Sequence, residues 1–247
     1  MKLFKLLFAL TLMLMIYTSP ASAEYSYQMI VPPGSLGITQ LFGINEDGIV
    51  TGEGWDGAFF SFTYDMESGE YTTSYELSVL EISNSGVMVG DVNGVCAIRD
   101  KKGNITTFVP PSWTVGSFCQ ARGVNSKGKV SGFLRDEPFD NWLGFIYDPK
   151  KDTYEEFLPS SQTFAVGINA QGQNVGSVTL DADEAYPGTS AGSYGYLRQK
   201  DGSVKYFAIS ESQGVPGWTR ARGISENGLI SGWYLDAVYV VRAYGTT

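Results

Sequence analysis

The 247-residue chain has no histidine and only two cysteines, Cys96 and Cys119. The lack of His removes the commonest general base and the commonest catalytic zinc ligand, and two thiols are too few for a structural zinc site. Gly188-Thr189-Ser190-Ala191-Gly192 matches the nucleophile elbow of serine hydrolases. That elbow needs a His partner and a strand-to-helix turn, so the match is set aside. Basic residues are scarce: 17 Lys+Arg stand against 26 Asp+Glu, for a net charge of −9. Such a surface repels phosphate backbones and anionic headgroups, which argues against a nucleic-acid partner. Beyond residue 23 no apolar run approaches the roughly 20 residues of a membrane-spanning helix, so no membrane span is expected.

What the chain does have begins with Lys2 and Lys5, an apolar run from Leu6 to Tyr17, and Ala21-Ser22-Ala23 ahead of Glu24. This is the layout of an export signal, residues 1–23, cleaved after Ala23. The expected mature protein, residues 24–247, is two charges more negative and resides in a bacterial periplasm or the surrounding medium. In such an oxidising compartment a Cys96–Cys119 bridge would add about 3 kcal/mol by constraining the unfolded chain. Two buried free thiols are the alternative, because spacing alone does not give the distance between them.

The phrase Gly-Ile-Asn-x-x-Gly-x-Val-x-Gly then recurs five times, at residues 43–52, 81–90, 123–132, 167–176 and 223–232, with Glu81 in place of the leading Gly in the second copy. Asn-x-x-Gly, or its Ser-x-x-Gly variant, is a hairpin signal, because Asn and Gly tolerate the left-handed backbone of a tight turn. Apolar residues alternating with small ones follow, as in Gly128-Lys129-Val130-Ser131-Gly132. A third strand is expected at residues 61–65, 96–100, 144–148, 195–199 and 238–242. A fourth, ending in an aromatic, is expected at 105–108, 154–157 and 204–207. Four short strands per unit make one propeller blade. The terminal glycines lie 38, 42, 44 and 56 residues apart, which suits blades and is too long for a β-helix coil. The fifth unit stops after its third strand, whereas an orphan strand at Tyr25–Val31 precedes the first unit. The expectation is therefore a single all-β domain, a five-bladed β-propeller whose ring is closed by the N-terminal strand, so that no sheet edge is left open.

The repeated phrase, followed by a small-aromatic-aliphatic-aromatic strand such as Gly144-Phe145-Ile146-Tyr147, resembles the bacterial extracellular HAF repeats across residues 39–242. The resemblance implies a secreted repeat protein and supplies no catalytic residue. The chain departs from the signature at its name-giving His and at Glu81.

In an up-and-down blade the loop between strands two and three opens on the same face as the loop from the previous blade. All five tryptophans fall on that face or its margin: Trp55, Trp113, Trp142, Trp218 and Trp233, with Asp56 beside the first. Six residues thus form a candidate ligand-binding set, suited to stacking on sugar rings or anchoring a protein partner. Plugging of the core between blades is the alternative role for each Trp. The same loops hold Asp136, Glu137, Asp140, Asp181, Asp183 and Glu184. Clustered carboxylates are the groups that bind Ca²⁺ or serve as the acid and base of a glycosidase, and solvated loop acids are the plainer reading. No organic cofactor is expected, and no metal beyond Ca²⁺ is suggested. Arg122 and Arg222 take equivalent places in first strands, facing a central channel as an ion pair, with Glu81 as partner, or as an anion trap. The functional expectation is a non-catalytic binding module for a saccharide or protein partner. The rivals are a propeller glycosidase using two loop carboxylates and a purely structural envelope protein.

Overall fold

The computed structural model describes residues 28–37, 39–136, 141–157, 162–180, 192–209, 218–235 and 241–245. The chain divides into residues 1–30, of which only Gln28–Ile30 are described, and a compact unit from Val31 to Thr247. The expected export signal and most of the expected N-terminal strand therefore lie outside the described residues. Gln28–Val31 carry no strand assignment.

The compact unit is all-β, with no helix among the described residues. Its first sheet is β1 (Thr39–Ile44), β2 (Ile49–Trp55), β3 (Phe59–Asp65) and β4 (Tyr71–Ser74), each antiparallel to the next. The second, similarly arranged, is β5 (Ser78–Ile82), β6 (Met88–Val92), β7 (Val95–Arg99) and β8 (Ile105–Thr107). The third is β9 (Phe118–Val124), β10 (Val130–Asp136), β11 (Asn141–Asp148) and β12 (Thr153–Phe157). The fourth is β13 (Gln162–Ile168), β14 (Asn174–Leu180), β15 (Gly192–Arg198) and β16 (Val204–Phe207). The last meander has three strands, β17 (Thr219–Ile224), β18 (Ile230–Leu235) and β19 (Val241–Gly245). Of the expected third strand of this unit, residues 238–242, Val241 and Arg242 fall in β19, which runs on to Gly245, and residues 236–240 lie outside the described set.

Each hairpin between first and second strands is closed by the side chain that the phrase supplies. Asn45 Oδ1 accepts the Ile49 N–H at 2.8 Å, Asn125 Oδ1 that of Lys129 at 2.9 Å, and Asn169 Oδ1 that of Gln173 at 3.0 Å. Ser83 and Ser225 hydroxyls do the same for Val87 and Leu229. The Gly of each Asn-x-x-Gly takes positive φ, 76° at Gly48 and 83° at Gly128, which a side chain would resist.

The closing glycine of the phrase has a different role. Gly52, Gly132 and Gly176 pair with Phe62, Phe145 and Tyr196, rings that are at most 1% exposed and lie across the bare glycine. Burial of each such ring contributes about 2–3 kcal/mol. In the fourth strands Phe157 covers Gly144 and Phe207 covers Gly195 by the same device.

Successive meanders are tied at the end of the sheets opposite these hairpins. Trp142 in β11 bridges Gln162 in β13 as a parallel pair, merging the third and fourth meanders into one eight-stranded sheet. Ser193 in β15 bridges Trp218 just before β17. Between the second and third meanders the tie is covalent: Cys96 of β7 and Cys119 of β9 form a disulfide at the centre of a cluster with Val89, Leu134 and Phe145.

Candidate functional site

A regular defect positions the site. Every first strand shifts register by one residue against its second strand, between Leu41 and Gly43, Val79 and Glu81, Ala121 and Gly123, Ala165 and Gly167, and Ala221 and Gly223. The residue inserted at each β-bulge is Phe42, Leu80, Arg122, Val166 and Arg222. A bulge re-aims its side chain out of the ladder. All five line one cavity of about 360 Å³, together with Gln40, Leu41 and Glu81. The five first strands therefore surround a common space.

The opening glycine of the phrase follows each bulge, and it is there that neighbouring first strands meet. A Cβ on Gly123 would overlap the Val166 carbonyl, and one on Gly167 would press on the Arg222 carbonyl. In the second unit, where Glu81 replaces this glycine, the carboxyl reaches over Gly43 instead. The expected pairing of Glu81 with Arg122 or Arg222 does not form. Glu81 accepts its neighbour's Ile82 N–H at 2.9 Å, and burial pushes its pKa up to about 7, so the carboxyl is substantially neutral at neutral pH.

Toward the hairpin end lies a space of about 410 Å³, lined by the turns of the first, second, third and fifth units, by Gly167 and Ile168 of β13, and by Glu81, Gly123 and Arg222. The polar groups here are satisfied between repeats. Asn125 Nδ2 donates to the Asn169 carbonyl at 2.9 Å, and Asn169 Nδ2 donates to the Ser225 carbonyl at 3.2 Å. The Ala170 N–H donates to Glu226, and the Glu46 N–H to Asn84.

At the opposite end, between the third, fourth and fifth meanders, lies a pocket of about 200 Å³. Its wall is a trio of rings: Phe133, Trp142 and Phe164, with centroids 4.9 to 5.4 Å apart. Its polar groups are Gln120, Ser177 and three arginines, Arg122, Arg220 and Arg222. The Arg122 guanidinium lies 5.8 Å from the Phe133 centroid, and that of Arg220 is 5.2 Å from Trp233, 5.9 Å from Phe164 and 6.0 Å from Trp218. Among the described residues no hydrogen bond or salt bridge engages the three guanidinium groups. The Nε atoms of Arg122 and Arg220 are buried without a partner among the described residues. Burial, then the like charge of Arg222, lowers the Arg122 pKa to about 10, against the opposing pull of Asp91 and Glu53. Burial also lowers Arg220 and Arg222, the latter further through Arg220.

The tryptophans are divided by this geometry. Trp142, Trp218 and Trp233 flank the pocket and its arginines. Trp55 stands apart, edge-on to the exposed Phe59 at 4.7 Å, while the neighbouring Asp56 accepts the Tyr75 hydroxyl at 2.5 Å, which holds its pKa down. Trp113 packs on the disulfide cluster with its indole N–H buried and unpartnered. Of the loop acids, Glu137, Asp140, Asp181, Asp183 and Glu184 lie outside the described residues, and of Asp136 only the backbone is described. Among the described residues no three His, Cys, Asp or Glu side chains gather as metal ligands.

Phe133, Phe164 and Arg220 are absent from the sequence-derived set. An aromatic inside an apolar strand reads as core from sequence. Alignment of the repeated phrase signals that Arg122 and Arg222 share equivalent positions, but not that Arg220 joins them.

No protein-family model and no curated protein sequence matches the chain. Among solved structures it is similar to a streptogramin B lyase, with 13% identity and a TM-score of 0.42 over 84% of this chain and 83% of that one. It is also similar to a catalytically inactive virginiamycin B lyase from Staphylococcus aureus with quinupristin, with 12% identity and a TM-score of 0.44 over 83% and 84% of the two chains.

Proposed function

We propose that this protein is an exported, non-catalytic binding module that takes a saccharide at the tryptophan-bearing end of its central cavity. In this reading the five meanders are blades of a closed propeller of the HAF-repeat kind. The shared cavity of the five first strands supports the radial arrangement.

The observation that carries the functional reading is the pocket itself. Rings of Phe133, Trp142 and Phe164 form an apolar wall, and fixed donors stand beside it. Sugars present one apolar face and a rim of oxygens, so a wall of rings with adjacent donors matches both. Cleavage of a glycosidic bond would instead call for two carboxyl groups across the bond. The described lining residues of this pocket include none.

A glycan array probed with the mature protein tests the reading. Bound saccharides should be lost when Trp142 is changed to Ala, with the melting temperature little altered. Products released from any bound saccharide would show an enzyme instead. A protein partner captured through Trp142 in place of any glycan would replace the saccharide.

A further inference from the structure

We infer that the ligand of the aromatic pocket is an anion, namely a short saccharide bearing carboxylate or sulfate groups, held by Arg122, Arg220 and Arg222. That the ligand is a saccharide rests on the function proposed above, whereas its anionic character stands on the arginines alone.

In a chain of net charge −9, three of its arginines converge on one pocket. Two of them are placed there by β-bulges, at positions where the other three repeats carry Phe42, Leu80 and Val166. Cations brought together out of bulk water weaken a fold unless acceptors compensate them. The nearby carboxyls are already engaged. Asp91 accepts Gln120 through one oxygen and the Gly94 N–H through the other, and Glu81 accepts the Ile82 N–H. Burial, then the charge of Asp91, raises the Glu53 pKa against the pull of Arg122, and Glu53 forms no salt bridge with that arginine among the described residues. Among the described residues no carboxylate acts on Arg220 or Arg222.

The chemistry of the side chain completes the inference. A guanidinium lying over a ring keeps its in-plane N–H groups free, and these match a carboxylate or sulfate oxygen pair. A sugar ring against Trp142 would bring an acidic substituent to the arginines. The volume of about 200 Å³ is small beside sites for drug-sized ligands, and fits a single sugar unit or a chain end. The negative surface opposes long, dense polyanions at a distance, which selects short ligands.

Titration calorimetry of the full-length mature protein tests this, using oligogalacturonate, the matching neutral galacto-oligosaccharide and sodium sulfate, all at constant ionic strength set with NaCl. Oligogalacturonate should bind, and Arg122→Gln or Arg220→Gln should weaken it about ten- to a hundredfold, the range of one charge-assisted hydrogen bond. Arg220→Lys, which keeps charge but not the planar fork, should retain only part of the affinity. The ligand-free variants should melt no lower than the wild type. Sulfate binding lost with the same arginines, without uronate binding, would support the anion and overturn the saccharide. Equal binding of neutral and acidic sugars through Trp142 would overturn the anion and leave the saccharide standing. Binding of none of the three would overturn both.

Discussion

The two ends of the central cavity share the first strands β9, β13 and β17 and differ in how their polar groups are satisfied. At the hairpin end, Asn125 and Asn169 close their own turns and donate to the next repeat. At the tryptophan end, Arg122 and Arg220 have rings for neighbours, and neither they nor Arg222 has an acceptor among the described residues. One end uses its polar groups to hold the repeats in order, and the other keeps them free. Ligand recognition should therefore rest on the free groups of the second end, which contribute little to stability, and each change below sets stability against binding.

The largest loss is expected where a bulge is held. A Cβ at Gly176 would overlap the Phe164 carbonyl and crowd Tyr196, so Gly176→Ala should cost about 3 kcal/mol or more, read by urea denaturation. Opening the Cys96–Cys119 disulfide, which spans 23 residues, should cost about 3 kcal/mol, read by the same measurement with and without reductant. Opening the disulfide should leave the binding constant of the folded fraction unchanged.

Next comes a pH effect at the boundary between the two ends. The Glu81 carboxyl has a raised pKa, about 7 against 4.5 for the ordinary group, so its stabilising contribution is full below 4.5 and is lost as pH rises through 7. The loss across that window is up to about 3 kcal/mol, because each tenfold change in proton affinity on folding is worth about 1.4 kcal/mol. Denaturation of Glu81→Gln should show a flatter profile between these values than the wild type.

Asn169→Ala should cost about 2 kcal/mol, because it deletes a turn acceptor and donors to the Ser225 carbonyl and Gln173. The smallest effect on stability is expected from Trp142→Ala, whose ring flanks the pocket rather than filling a sealed core. There the change should fall on ligand affinity.

Most of this architecture was legible in the repeat. The Asn-x-x-Gly turns, the alternation of the second strands and the third strands of the first four units occur where periodicity put them. The fourth strand of the first unit, Tyr71–Ser74, carried no signal, because it lacks the terminal aromatic that Phe157 and Phe207 provide by covering a glycine. The bulges were hidden for a physical reason: an inserted residue breaks the period-2 alternation by which strands are read. Arg122 and Arg222 were recognisable as equivalent channel residues, yet their neighbours were not. Whether Glu81 would neutralise them depended on where its carboxyl turned, and it turned toward its own backbone and Gly43. The Trp set was legible as one end of the sheets, but its division among pocket, exposed edge and disulfide cluster is set by packing across repeats.

The most direct test of the central claim is the unfolding free energy of ligand-free Arg122→Gln at neutral pH and moderate salt. Removal of a largely buried cation, disfavoured by burial and by Arg222 more than Asp91 and Glu53 favour it, should leave stability equal to or above that of the wild type. A loss of more than about 1 kcal/mol, the worth of an ordinary hydrogen bond, would contradict the account, because it would make this arginine part of what holds the fold together rather than a group kept free for a ligand.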